Sequence, residues 1–553
     1  MIGYPPIETE LSLTGKRWIL RHADLPVHTL VPLLLRERGI DPAGREWTPP
    51  SAFADMERAV ARIRQAVSRR EKVGIFGDYD ADGVTAVAQL VRYFQRHSIE
   101  PFVRLPHRVR DGYGLHAGVA DECICAGIDV LITADTGITA AAEVRRLGEE
   151  GIDTIITDHH ALPAQLPPAF AIIHPERPPA CPLPHPSGSG VVFQLLRALE
   201  GDDWEGRPTD EALVMIGTVA DLVPLAGDNR QIVLRGLAAL ESLGNGPLAQ
   251  LRESVRSGGR PLTSTDIAFR VAPRINAAGR MDDAAFALAA LLTGGEAIAE
   301  LSRLNETRQR ETERLLAQVW EDIRATRESA PFLFAAHERY HPGIIGLLAG
   351  KLTDMTGRPS LVAHIDGDRC TGSLRSAACY NVTEGLARVQ MFLTGFGGHA
   401  QAAGCTFARD DIDALRDALQ EDARAHAPAD ALPPHIAVDA ILDPGDITLA
   451  LCEEFLAMEP FGQGNPEPRF LLRHSPLDSL RAVGKNRDHL QARAFGLKAI
   501  GFGLGHLRNR TGNAPDLVCR IGIDTWNGAR APQIFIEDIR LPADVAVPAL
   551  AAH

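Results

Sequence analysis

The sequence predicts an α/β protein: a parallel sheet covered on both faces, then a smaller α/β domain reached through a long helix, then a small C-terminal β-barrel. Three observations predict this. Between residues 71 and 175, short continuous apolar runs alternate with helical patterns, and each run ends in an aspartate. A second α/β alternation runs from Pro331 to about Ala427. Short alternating strands then recur from Ile436 to Ile539. Continuous apolar strands between helices belong to a parallel sheet buried on both sides, whereas closely spaced alternating strands belong to a small barrel.

The elements follow in order. Lys72–Asp78 (KVGIFGD), Asp129–Asp135 (DVLITAD) and Asp153–Asp158 (DTIITD) are the buried strands. In such sheets ligands bind outside the carboxyl ends of the strands, which is where these three carboxylates arrive. Residues 175–190 (PERPPACPLPHPSGSG) carry the residues of a long surface loop, and a helical stretch then leads to Asp221. Glu296–Thr326 has no Gly or Pro and dense charge from Arg303 to Arg314, which predicts a long exposed helix acting as a spacer between two lobes. Strands at Phe332–Ala336, Ser360–His364 and near Thr371, with glycine clusters at Gly343–Gly346 and Gly395–Gly398, make the second domain. After the linker at 431–435 come the strands of the barrel. The expected division is therefore 1–295 for the N-terminal region and first domain, 296–328 for the helix, 329–430 for the second domain, 431–545 for the barrel and 546–553 for a tail.

Length and composition bound the function. A chain of 553 residues exceeds what one core supports, and 45% hydrophobic with 23% charged residues is ordinary for a globular protein, so disordered and fibrous classes are excluded. No stretch approaches the roughly 20 apolar residues of a membrane span, and the amino terminus has no basic and apolar leader pattern, so a cytoplasmic protein is expected. Eight scattered cysteines without a CxxC pair point to reduced thiols and not to a disulfide framework or a zinc ribbon. A net charge of −14 argues against a nucleic-acid partner on average. The average is outweighed if the excess carboxylates hold cations and local arginines line a groove.

The chemistry concentrates in Gly77-Asp78-Tyr79-Asp80-Ala81-Asp82-Gly83, directly after a buried strand. Alternating aspartates in an extended turn point carboxylates the same way, which suits hard cations. A calcium-binding EF-hand is excluded, because residues 83–90 (GVTAVAQL) lack its later ligands. Taken alone the turn has a plain alternative as a solvated loop. Asp135 in TADTG, Asp158-His159-His160 in TDHH and Asp221 in VADLVPL change the balance. Two like charges 4 Å apart repel by about 4 kcal/mol at an effective dielectric of 20, so several such pairs need compensation, and divalent metal supplies it most simply.

DYDADG, TADTG, TDHH and VADLVPL together resemble the successive motifs of the DHH phosphoesterase superfamily. The resemblance implies two Mn²⁺ or Mg²⁺ ions at the carboxyl edge of the sheet. Asp78, Asp80 and Asp135 would hold one; Asp82, Asp135, His159 and Asp221 would hold the other, with Asp135 bridging. Asp158 would orient a histidine, and His160 would face the scissile phosphate. In the smaller domain, His341-Pro-Gly-Ile-Ile-Gly346, Gly372-Ser-Leu-Arg-Ser376 and Gly397-Gly-His-Ala-Gln-Ala-Ala-Gly404 resemble the DHHA1 domain that accompanies DHH. There glycine backbone and the Arg375 fork suit phosphate.

Arg274-Ile-Asn-Ala-Ala-Gly-Arg280-Met, the stretch EPFGQGNPEP (459–468) and the β-rich C-terminus are similar to the bacterial single-strand-specific exonucleases of that superfamily, and the likeness runs from about residue 50 to 545. It implies 5′-to-3′ hydrolysis of single-stranded DNA to 5′-mononucleotides in recombination and repair. The implied contacts for the substrate are Arg108, Arg110, Arg280, Ser373, Arg375 and His399. The implied partners are a single-strand-binding protein and a helicase, around a monomer with no membrane attachment. The C-terminal barrel resembles an OB-fold, which implies that it grips DNA through Lys485, Arg487, Arg493 and Phe495, apart from the catalytic site. The alternative is a phosphoesterase of the same superfamily acting on small molecules or short oligonucleotides, which has no need of the barrel. A binding protein with a degenerate site would have lost several of these ligands.

Overall fold

The structure, a computed structural model, describes residues 11–541 apart from 24, 42–46, 179–180, 202–206, 257, 326–329, 378–379, 428–434 and 526–529. Most of the linker expected at 431–435 and the whole tail expected at 546–553 lie outside the described residues.

The first sheet has five parallel strands in the order Phe102–Arg104, Val73–Gly77, Val130–Ala134, Asp153–Thr157, Ala171–Ile173. Its central strands Val73–Gly77 and Val130–Ala134 are buried at every residue, as continuous apolar runs require. One face packs on the helices Met56–Arg69, Ala81–Arg96 and Gly188–Glu200, the other on Ala117–Ala126 and Ala141–Glu149. Gly77 pairs with Ala134, which pairs with Thr157, so the three central strands end level with one another.

A second sheet of five strands runs Gly395–His399, Ala402–Ala408, Arg369–Arg375, Ser360–Asp366, Leu333–His337, with only the last pair parallel. The helix Glu296–Asp322 joins the two domains, but it is not the exposed spacer its charge predicts. Ile298, Leu301 and Leu304 enter the first core, while Leu315 and Val319 pack with Leu333, Ile345 and Leu348 of the second. The charges occupy the outer face of an amphipathic helix whose inner stripe ties both cores together.

The C-terminal strands form one eight-stranded sheet from Arg17–His22, through His435–Ile441, to Leu477–Val483 at the other end. Its first strand comes from the start of the chain and pairs in parallel with His435–Ile441, Trp18 lying opposite Ile436. Leu30 and Leu34 of the helix Val27–Glu37 are buried in the same core. Residues 11–40, grouped by sequence order with the first domain, therefore pack with the C-terminal module: a lone amphipathic strand and helix need a partner sheet, and the nearest in sequence need not be the one in space. Nor does the module stand apart from the first domain, because the Leu225 N–H donates to the Gln463 carbonyl at 2.8 Å.

Candidate active site

The level strand ends set Asp78, Asp135 and Asp158 in a row at adjacent strand spacing, about 4.8 Å. From this row the helix Ala81–Arg96 departs, capped by Asp80, whose carboxylate accepts from the N–H groups of Asp82 and Gly83 at 3.0 and 3.1 Å. Asp82 points back toward the sheet and accepts from Gly188 and Ser189 N–H at 2.7 and 3.0 Å, at the start of the helix Gly188–Glu200. Close approach demands glycine here. A Cβ on Gly188 would lie 2.2 Å from Asp135 Oδ1, and one on Gly217 would lie 2.6 Å from Asp82 Oδ1. Gly217 thus lets the helix Pro208–Ala220 reach the site and present Asp221 at its carboxyl end.

The donors fall into overlapping groups whose ligand atoms all lie within 4.8 Å of one another: Asp78 with Asp80 and Asp135, Asp82 with His159 and Asp221, and Asp135 with His159 and His160. His159 Nε2 is 3.1 Å from Asp135 Oδ1 and 4.0 Å from Asp82 Oδ2, and its Nδ1 is 3.7 Å from Asp221 Oδ2. The 3.1 Å approach is off the hydrogen-bonding direction, so the buried Asp135 Oδ1 has no donor among the described residues.

The electrostatics match. Burial, then the charge of Asp80, pushes Asp78 up to about 8. Burial and Asp80 push Asp82 up to about 7, and burial and Asp82 push Asp221 up to about 9. Asp135, buried among Asp82, Asp80 and Asp78, is raised well above the carboxylate range. Burial, then the neighbouring His160, lowers His159 to about 4, leaving a neutral imidazole with a free lone pair. Asp158 is different. Burial pushes its pKa up, but bonds from the His160 ring at 2.7 Å and from the Ile138 and His160 N–H groups bring it below the ordinary value. The same pairing outweighs burial at His160 and raises it. Asp158 thus orients His160, and the ring of Tyr113 stands edge-on to that imidazole at 5.6 Å. Loss of an orienting partner costs about 10–100-fold; accordingly Asp158→Ala is expected to lower kcat by that factor with the fold kept, and an unchanged kcat would show that His160 needs no such support.

The donor set suits hard divalent cations: carboxylate oxygens and neutral imidazole, one buried oxygen without a donor, and four carboxylates that are unfavourable when ionised without a counter-charge.

Near the aspartates stands a group of cations. The guanidinium of Arg108 lies 3.9 Å over the Tyr79 ring. Burial, then Arg108, Arg308 and Arg375, brings Arg280 down to about 9, which leaves it protonated at neutral pH. Arg375 Nη1 donates to Ser373 Oγ at 3.0 Å; the two are neighbours on one strand face. The helix Ile345–Thr356 begins against them, a Cβ on Gly346 being 3.0 Å from Ser373 Oγ and 3.1 Å from Arg375 Nη2, so its positive end adds to the field. Arg280 Nη1 reaches the Gly343 carbonyl at 3.2 Å and joins the domains there. His399, exposed on the edge strand, lies close enough to His159 to lower its pKa.

Arg110 does not join this group. Residues 107–112 make a turn, in which residues two apart do not share a face, and the Arg110 side chain is 70% exposed with Nη2 3.8 Å from Asp283. Phe495 also departs from expectation, since it packs on the core of the C-terminal module, while Phe502 stands 59% exposed beside His489. Three contributors were missed. Arg308 completes the cationic group, Tyr79 carries Arg108, and Asn276 Oδ1 accepts from Ala81 N–H at 2.8 Å to fix the start of the aspartate-bearing helix. The spacing of Asn276 and Arg280, four residues apart on one helix face, was the available signal.

A parallel sheet that ends in aligned aspartates and an Asp-His-His turn, beside arginines that the first domain, the joining helix and the second domain bring together, defines a phosphoesterase of the DHH type. Comparison with known families agrees: the DHH family N-terminal domain matches residues 72–225, the DHHA1 domain matches 329–425, and the RecJ OB domain matches 438–538. The chain is 35% identical to the single-stranded-DNA-specific exonuclease RecJ of Thermus thermophilus over 89% of this chain and 72% of that one, and 30% identical to that of Escherichia coli over 95% and 98%. The crystal structure of Thermus thermophilus RecJ in complex with Mn²⁺ superposes with a TM-score of 0.80 at 28% identity, covering 96% of this chain and 81% of that one. The chain belongs to the RecJ family of single-stranded-DNA-specific exonucleases.

Proposed function

We propose that this chain degrades single-stranded DNA from the 5′ end and releases 5′-mononucleotides, with two divalent ions, Mn²⁺ or Mg²⁺, at the aspartate row. The observation that carries the reading is the pair of donor groups, Asp78-Asp80-Asp135 and Asp82-His159-Asp221, with the orphaned Asp135 Oδ1 beside both. Bound there, the ions supply a water of lowered pKa and neutralise charge on the leaving 3′-oxygen. Solved RecJ structures carry Mn²⁺ in one case and Mg²⁺ in another.

The chain's own groups do the rest. His160, held by Asp158 and raised in pKa by that pairing, presents its ring to the scissile phosphate. Arg108, Arg280, Arg375 and Ser373, with His399 at the rim, hold the 5′-terminal phosphate through charge-assisted bonds. A terminal phosphate held at a set distance from the aspartate row measures one nucleotide and gives the reaction its direction. In this reading the partners are single-stranded DNA and, during repair, a single-strand-binding protein and a helicase in the cytoplasm, acting on a monomer. Among the described residues, no helix is long and apolar enough to cross a membrane.

End-labelled strands test substrate, polarity and metal together. A 5′ label is expected to appear at once as mononucleotide, a 3′ label to pass through a ladder, and chelator to stop both. Release of the 3′ label first would refute the polarity. Arg280→Ala is expected to raise KM about 10–100-fold for 5′-phosphorylated strands and much less for 5′-hydroxyl strands, because a charge-assisted bond contributes roughly 1.5–3 kcal/mol. An equal effect on both would place Arg280 outside the phosphate site.

A further inference from the structure

Asp221 is the one candidate ligand that does not sit just after a strand end or at the start of the helix Ala81–Arg96. It closes the helix Pro208–Ala220, and the chain then turns through Leu222 at φ 60 with a side chain 66% exposed. A branched residue in the left-handed region persists only where its surroundings hold it, and the exposed Leu222 side chain provides no such hold. The hold lies three residues on. Leu225 N–H donates to the Gln463 carbonyl at 2.8 Å, and the backbone of the turn around Gln463 lies directly on the loop. A Cβ on Gly462 would stand 2.7 Å from Leu225 Cδ1, and one on Gly464, at φ +73, 3.1 Å from Pro224 Cβ. The turn is itself rigid: the buried Asn465 donates to the carbonyls of Met458 and Pro460, both at 2.9 Å. It is also bolted to the first domain from two sides. Ser264 Oγ donates to the Phe461 carbonyl at 2.7 Å, and Arg230 donates to the carbonyls of Met458 and Glu459 at 3.0 and 2.6 Å.

We infer that the turn at 461–465 of the C-terminal module is a positioning element for the metal site, buttressing the Asp221–Leu225 loop so that Asp221 meets His159 and Asp82. The inference rests on the reading of Asp221 as a ligand. It gives the module a second task besides holding DNA, and it explains why two glycines and an asparagine occupy the turn: side chains at 462 and 464 would push the loop away, and Asn465 replaces the missing backbone partners.

The test uses the full chain with Gly462→Val, which drives a side chain into Leu225, and Arg230→Ala, which frees the turn without adding atoms. Mn²⁺ affinity is read by titration calorimetry, kcat and KM on a trinucleotide and on a long strand, and folding by thermal melt. Both variants are expected to bind the weaker Mn²⁺ about 10–100-fold less tightly and to lose kcat on short and long substrates alike, with KM for the long strand unchanged. Gly462→Val with Leu225→Ala should recover part of the Mn²⁺ affinity, because the clash is removed, and the thermal melt separates this from a change in overall stability. Unaltered Mn²⁺ affinity with a raised KM confined to long strands overturns the buttress and makes the turn a DNA grip only. Asp221→Ala is the reference. If it leaves Mn²⁺ affinity and stoichiometry untouched, the ligand reading fails; if it weakens them while the turn variants do not, the buttress alone fails.

Discussion

Asp135→Ala is expected to slow hydrolysis about a thousandfold or more, the largest effect of any single substitution in this protein. Asp135 stands between the two donor groups, directly with Asp78 and Asp80 and 3.1 Å from His159. Its removal disturbs both ions at once, and losing about 4 kcal/mol of transition-state stabilisation corresponds to a thousandfold. The fold should not suffer, since the carboxylate is buried with an oxygen that no donor reaches, and the metal-free variant should melt higher than the metal-free parent. One local term opposes this. Asp135 has φ 62, which aspartate and asparagine tolerate better than alanine, so Asp135→Asn removes the charge while keeping the backbone preference and should show the larger gain in melting temperature. More than a tenth of the parent turnover at saturating Mn²⁺ would refute the shared position of Asp135.

The metal-free protein is expected to lose stability as pH rises from about 4 to about 9. Asp82, Asp78 and Asp221 have folded pKa values of about 7, 8 and 9, above the ordinary 3.8, chiefly through burial. Below about pH 4 these groups are protonated in both states and cost nothing. Between that point and the folded pKa values the unfolded chain has released protons that the folded chain keeps, so the unfolded state binds fewer protons and stability falls with pH. Above about 9 these three groups add no further decline. Divalent metal neutralises the ionised carboxylates and should abolish the slope while adding stability in proportion to the logarithm of its concentration over Kd. Melting curves with chelator and with Mn²⁺ at pH 5, 7 and 9 check this. A chelated protein whose melting temperature is flat or rising over that range would show that the aspartate row carries little strain.

Much of the site was legible because it is local. An apolar run followed by Asp at 78, 135 and 158 marks a buried strand and its functional end within seven residues, and the helix after Asp80 is announced by its own cap. The short strands Phe102–Arg104 and Ala171–Ile173 were missed, since three residues carry no period, and their place depends on the neighbour they pair with. Arg108 and Arg110 look equivalent in sequence, and only the turn that lays Arg108 on Tyr79 separates them.

By itself, then, the sequence determined the class of fold, the aspartate and histidine donors and the chemistry they suit, because period, strand ends and ligand type are written in short stretches. The tertiary structure alone decided the rest: that Arg17–His22 completes a sheet with His435–Ile441, that the charged helix Glu296–Asp322 is a shared core element, and that the turn around Gln463 sits on the loop carrying Asp221. Those are pairings between residues hundreds of positions apart, set by which apolar faces and backbone donors remain unsatisfied once each local element has formed.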